Sequence, residues 1–209
     1  MQQVFEHIGV SVAAITGVLA ARGKQVDLFG VLVVALVTAV GGGTLRDLLI
    51  GATPVFWAAD AGFLLNATVT SVVMFYAVRF HEPPGLVLLI ADAVFLAFFT
   101  VIGTRKALVY LMTPPVAIAM GVITGVAGGI FRDVLLDELP LVFRKNTYFY
   151  ATAAFFGACL FVGLRVLNFS PQAALVAGTV AVLVMRLVGI RWRLGLPAMS
   201  APEQSEDRK

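Results

Sequence analysis

Two arginine–aspartate pairs sit inside apolar surroundings, Arg46-Asp47 and Arg132-Asp133. Charges within apolar segments are costly and mark a functional interior. Each pair follows a glycine run: Gly41, Gly42 and Gly43 in the first case, Gly125, Gly128 and Gly129 in the second. Thr38 and Thr124 precede these runs. Adjacent glycines weaken a helix and allow a kink, which frees backbone carbonyls. Carbonyl and hydroxyl oxygens suit a hard, desolvated monovalent cation. The same glycines admit a packing reading, because small residues at four-residue spacing let helices approach closely. The two readings are compatible.

The two phrases are copies. Thr38–Pro54 overlays Thr124–Pro140 at an offset of 86 residues without a gap, matching Thr38, Val40, Gly42, Gly43, Arg46, Asp47, Leu49 and Pro54. The register extends to Gly17 and Gly103, Phe63 and Phe149, Phe75 and Phe161, and Arg79 and Arg165. Glu6 falls on Asp92, so the acid is kept.

The chain is 60% hydrophobic and 13% charged, with a mean hydropathy of +0.96. Such a composition needs lipid to cover it. Seven apolar stretches, near 4–21, 26–50, 61–80, 85–104, 114–136, 148–167 and 171–190, each have the roughly 20 residues that cross a hydrocarbon core. The reading is an all-α polytopic membrane protein of seven transmembrane helices, with helices two and five kinked. The transmembrane domain covers 1–190, with repeat one at 4–80, repeat two at 85–168 and a seventh helix at 171–190. A polar tail follows at 191–209. The first stretch lacks a basic leader, and its copy lies in mid-chain, so it reads as a span rather than a signal peptide.

Three spans per copy is an odd number, so the second copy enters the membrane from the other side. The result is an inverted repeat, with the seventh span outside the symmetry. Nine loop cations (Arg22, Lys24, Arg79, Arg144, Lys145, Arg191, Arg193, Arg208 and Lys209) lie on one side, against Arg105, Lys106 and Arg165 on the other. The positive side faces the cytoplasm, which puts the N-terminus outside and the C-terminus inside. Arg105-Lys106 runs against this bias. The net charge of +3 is a matter of topology here and does not indicate nucleic-acid binding.

Depth counting at 1.5 Å per residue puts Thr38 and Thr124 near the midplane and the Arg-Asp pairs toward opposite faces. Neighbouring helix residues do not face each other, so Arg46 is expected to pair with Glu6, and Arg132 with Asp92. Asp47 and Asp133 would then attract cations, one at each mouth. On the alternative reading they cap loops or pair with Lys or Arg at the interface. Pro54 and Pro140 read as helix stops. Phe56-Trp57 and Tyr148-Phe149-Tyr150 read as interfacial anchors, and His7 as an interfacial histidine.

Ser11, Ser71 and Ser170 have no triad-like surroundings. Two histidines and the single Cys159 do not suggest a metal site or a disulfide, and the glycines lack the Lys-Ser/Thr of a phosphate loop. The expectation is a protein that is not an enzyme and needs no cofactor.

The pattern GGGTLRD…P…FW with GGIFRD…P, on three plus three plus one spans, resembles the prokaryotic TRIC (trimeric intracellular cation) channels, a group also described by a glycine transporter domain. The resemblance covers about residues 4–190. It implies a homotrimer in the inner or plasma membrane, in contact with lipid, with one pore per protomer bounded by the kinked second and fifth spans. It implies permeant potassium or sodium as the only ions engaged. The lysine–glutamate–valine signature of animal members is absent from this sequence. An inverted repeat also fits a secondary transporter of glycine or another small amino acid, and a trimeric scaffold without transport is a third class.

Overall fold

In the computed structural model, residues 2–80, 83–144 and 149–194 are described. The polar tail beyond Leu194, together with His81, Lys145 and Tyr148, lies outside them. The described chain is all α-helical: α1 Gln2–Ala21, α2 Leu28–Leu49, a four-residue α3 Phe56–Ala59, α4 Gly62–Phe80, α5 Gly85–Val109, α6 Pro114–Leu135, α7 Tyr150–Val166 and α8 Pro171–Trp192. A 3-10 turn at Leu141–Phe143 precedes α7. Six of these helices are long and apolar enough to cross a membrane, and α7 is apolar with 17 residues. At 1.5 Å per residue α7 spans about 26 Å, a little short of a ~30 Å hydrocarbon core.

The duplication is visible helix by helix. Shifting α2 by the 86-residue offset reproduces the bounds of α6, and α1 and α4 fall on α5 and α7. Both α2 and α6 end the same way. Gly51 and Asp137, which are equivalent positions, adopt positive φ of 72° and 55°. The next amides then reach back, Ala52 N to Asp47 O at 2.8 Å and Glu138 N to Asp133 O at 2.9 Å. This left-handed closure stops each helix. Pro54 and Pro140 come three residues later, so they direct the following segment and are not the stops that the sequence suggested.

The helices pack around α5, which contacts α1, α6, α7 and α8. Opposite ends of the bundle are defined by contacts across it. Lys106 at the end of α5 meets Asp47 at the end of α2, on the face where the chain begins (the N-terminal face). Asp92 near the start of α5 meets Arg132 at the end of α6, on the opposite face.

At the centre, α2 crosses α6. Thr38 and Thr124 are each the eleventh of 22 residues in their helices, and the contact there is reciprocal. A Cβ on Gly42 would run into the carbonyl oxygen of Thr124, and one on Gly128 would lie 2.6 Å from the carbonyl oxygen of Thr38. Only glycine permits backbone to meet backbone at this distance. Neither helix is interrupted at its glycines. The two threonine hydroxyls donate within their own helices, to Val34 O at 2.6 Å and Met120 O at 2.5 Å. Packing therefore accounts for Gly42 and Gly128 in this conformation, since the helical ladder is kept and no helix break presents carbonyls to a lumen.

Replacing Gly42 by Ala should lower the stability of the detergent-solubilised protein by about 1–3 kcal/mol, through overpacking. Gly163 in α7 borders open space, with no atom within 4 Å of where a Cβ would stand, so Gly163→Ala should be neutral or stabilising by up to about 1 kcal/mol. Thermal unfolding of both variants in one detergent checks the contrast; equal shifts would refute the crossing as the reason for Gly42.

Candidate functional site

Each face of the bundle carries a cluster built on one Arg-Asp pair. On the face opposite the N-terminus, Arg132 is fully buried. Its Nη1 lies 3.1 Å from Asp92 Oδ1, the partner expected from the repeat. Its Nε donates to Asp133 Oδ1 at 2.8 Å. Tyr150 donates its hydroxyl to Asp92 Oδ1 at 3.3 Å. Arg186 from α8 approaches Asp92 Oδ2 at 3.6 Å, and its guanidinium lies 4.6 Å from the centre of the Tyr150 ring. Two carboxylates thus balance two guanidiniums inside the bundle, and charge neutrality makes their burial tolerable. Gly129 keeps the space beside them open: a Cβ there would lie 3.1 Å from the Tyr150 hydroxyl.

On the N-terminal face, Arg46 binds its neighbour in the same manner. Its Nε donates to Asp47 Oδ1 at 2.8 Å, and its Nη2 lies 2.7 Å from the same oxygen. This overturns the expectation that adjacent residues cannot pair. The rule holds for side-chain directions at Cβ, but the arginine stem is long enough for its fork to fold back onto the next carboxylate. Burial then removes competing water and strengthens the contact. Lys106 Nζ adds a third contact to Asp47 Oδ1, at 2.8 Å.

Nor do the aspartates stand available at the mouths. Asp47 is fully buried and Asp133 nearly so. Asp47 Oδ2 accepts from Phe56 N at 2.9 Å, and Asp133 Oδ2 accepts from Leu141 N at 2.8 Å. Each therefore caps the segment that follows its helix, α3 in one case and the 3-10 turn in the other. The capping alternative describes them. The reason is local: the left-handed closure turns the chain back over the helix end, bringing unpaired amides onto the carboxylate.

Glu6 shares a cavity of about 280 Å³ with Arg46, Arg105 and Lys106, whose apolar wall includes Val10, Phe99 and Ile102. The Arg46 guanidinium lies 5.7 Å from the Phe56 ring centre, and Trp57 Nε1 donates to Thr44 Oγ1 at 2.9 Å. These two aromatics therefore cover the end of α2. Tyr150 is a buried hydrogen-bond donor and not an interfacial anchor, because it faces Asp92. His7 stacks on Phe63 at 4.3 Å, and its carbonyl accepts from Asn66 Nδ2 at 2.9 Å, joining α1 to α4. No group of three or more potential metal ligands exists among the described residues.

Sequence reasoning missed Tyr150, Arg186 and Lys106 as members of these clusters. Arg186 carried a signal, being a charge inside an apolar span, but it lies outside the repeat, so no symmetric partner pointed to Asp92.

The two-fold organisation agrees with comparisons to known proteins. The chain belongs to the glycine transporter family, whose pattern matches twice, at residues 3–79 and 89–166. It is 44% identical over 200 residues to the Escherichia coli K12 UPF0126 inner membrane protein YadS, covering 94% of this chain and 95% of that one. A UPF0126 membrane protein of Vibrio cholerae is 42% identical, covering 94% and 82%. Among solved structures, the chain is similar to the TRIC trimeric intracellular cation channel orthologue from Rhodobacter sphaeroides, with a TM-score of 0.87, 38% identity and coverage of 92% and 98%. A second TRIC cation channel structure gives a TM-score of 0.86 at 32% identity, covering 95% and 97%. The fold is thus that of the TRIC channels: an all-α membrane protein, with six helices among the described residues long and apolar enough to span a membrane.

Two tests follow from the clusters. Asp92→Asn removes a charge between two buried arginines and should cost about 3–5 kcal/mol. Adding Arg186→Met should recover part of the loss; equal losses in single and double variants would refute the coupling. In the loops, a hydrogen bond from Lys24 holds the Glu138 carboxyl below its ordinary range. A lowered folded-state value means the contact contributes at neutral pH and is lost as the pH falls through that value. The acid-side change in stability should be smaller in Glu138→Gln, as measured by thermal unfolding across pH.

Proposed function

We propose that this chain forms a homotrimeric channel for monovalent cations, potassium and sodium, with a pathway in each protomer. The observation that carries the reading is the reciprocal α2–α6 crossing with a charged cluster at either end, on a fold shared with TRIC cation channels. The pathway would run past Thr38, Gly41, Gly42 and Gly43 and past Thr124, Gly125, Gly128 and Gly129. In the present packing this crossing is closed, because carbonyl oxygens fill the space beside Gly42 and Gly128. Opening requires α2 and α6 to part or kink at their glycines, which would turn the Thr38 and Thr124 carbonyls toward the lumen. Glu6, Arg46, Asp47, Asp92, Arg132 and Asp133 would hold the helix ends in place while the centre moves. The positive-inside bias supports an external N-terminus and a cytoplasmic C-terminus. The named location of the Escherichia coli relative supports the inner membrane.

The family description favours a second reading, a secondary transporter of glycine or another small amino acid. Transporters of inverted-repeat architecture typically form their sites from discontinuous helices, and both α2 and α6 are continuous. This observation favours the channel. Purified protein in planar bilayers should give discrete unitary currents that reverse at the potassium potential. Saturable glycine flux without unitary steps would overturn the channel reading.

A further inference from the structure

One polar network belongs to a single copy of the repeat. At the 86-residue offset His7, Ser11 and Thr70 fall on Ala93, Ala97 and Phe156, and Asn66 falls on Thr152. In the fold the four polar residues of the first copy meet between α1 and α4. Asn66 Nδ2 donates to His7 O at 2.9 Å. Asn66 Oδ1 accepts from the Ser11 hydroxyl at 2.8 Å and from the Thr70 hydroxyl at 3.2 Å. The amide therefore has one allowed orientation, because a carbonyl oxygen only accepts. His7 Nδ1 lies 3.3 Å from the same Asn66 Nδ2. It must accept there, which assigns the neutral ring with its proton on Nε2.

Imidazole is the side chain whose ordinary charge change falls at mildly acidic to neutral pH. A proton on Nδ1 would set donor against donor. The amide cannot turn over to meet it without losing its bonds to His7 O, Ser11 and Thr70, so the ring has to leave Asn66. Asp60, between α3 and α4, is the carboxylate toward which it can turn: Asp60 Oδ1 and His7 Cε1 would lie 2.8 and 3.6 Å from a Cβ on Gly62. Glu6 precedes His7 on α1, and it shares its cavity with Arg46 of α2 and with Arg105 and Lys106 of α5. The one charge on α4, Arg79, is in its last turn, and Arg132 and Asp133 of α6 are on the opposite face.

Aromatic rings link His7 to the end of α2. His7 stacks on Phe63 with ring centres 4.3 Å apart and planes 14° from parallel. Phe63 is buried and meets Phe56 edge-on at 5.1 Å. Phe56 fills the space beside Gly43, approaches the Arg46 guanidinium and donates its amide to Asp47. Packed rings pass from one arrangement to another and do not deform gradually.

We propose that His7 is a proton switch acting on α2: protonation at Nδ1 expels the ring from Asn66, the Phe63–Phe56 stack repacks, and the aromatic cover over the end of α2 is withdrawn. The switch itself stands apart from the channel reading. Its consequence for transport rests on that reading: α2, once uncovered, is released to part from α6, and acid on the N-terminal face opens the pathway.

Trp57 reports on the cover, because its Nε1 donates to Thr44 of α2. Trp192→Phe leaves Trp57 as the one tryptophan. In that background, lowering the pH from about 8 to about 5 should shift Trp57 emission in a single one-proton transition. His7→Gln should abolish it. Phe63→Leu should abolish it too, while the nitrogen-15 signals of the His7 ring, assigned by their loss in His7→Gln, still titrate. In planar bilayers, acid on the N-terminal face should raise open probability by up to roughly tenfold per pH unit, the limit for one linked proton, and His7→Gln should remove the dependence. A missing Trp57 transition, or one unchanged in His7→Gln, would overturn the inference and leave the channel reading standing. Currents that ignore pH while Trp57 responds would overturn the link to the pathway. A His7-dependent transition without cation current in any form would overturn the channel reading and leave the switch.

Discussion

The backbone contact between α2 and α6 is the constraint on which the rest of the structure depends. Each helix offers a glycine to the carbonyl of the other's central threonine, and the two contacts are related by the internal symmetry. In lipid there is no hydrophobic force to pull helices together, so association relies on close packing and on polar contacts. The glycines provide the close packing at mid-depth, and the Arg-Asp pairs provide the polar contacts at the ends. Displacing the crossing would shift both helices relative to α5 and pull Arg132 from Asp92 and Asp47 from Lys106.

The Arg-Asp pair serves as a compact helix-end device. The arginine turns back onto the following carboxylate, and that carboxylate's other oxygen receives the amide of the next structural segment. A single dipeptide thereby neutralises its own charge, ends a helix and anchors a re-entering chain. Using it twice, in opposite orientations, gives the two faces the same foundation. Their surroundings then differ. The opposite-face cluster is enclosed by Tyr150 and Arg186 from α7 and α8, whereas the N-terminal-face cluster opens on a cavity beside Glu6. The eighth helix is therefore more than an appendage to a six-helix repeat, since it closes one face electrostatically.

Much of this architecture was legible in the sequence because its causes are periodic or compositional. Apolar length marked the spans. The constant offset between GGGTLRD and AGGIFRD marked the repeat, and the odd number of spans inverted it. The Asp92–Arg132 pair followed from placing both residues at one depth. The assignment of Asp47 and Asp133 to the mouths was wrong, because helix direction says nothing of how far an arginine can curl or where the next loop's amides fall. The pairing of Arg186 was invisible because α8 has no copy against which to compare it.

The residues themselves determined that this chain lives in lipid, folds as helices and repeats one unit in two orientations, since hydropathy and internal identity are properties of the chain alone. Only the tertiary structure decided what the glycines and charges do. A glycine run that can break a helix here keeps it whole, because a neighbouring backbone fills the space the missing side chains leave. An arginine that could have crossed to another helix also binds its own neighbour, because burial makes the nearest carboxylate the strongest partner. Such outcomes depend on distances between segments far apart in sequence, and those distances exist only once the bundle is packed.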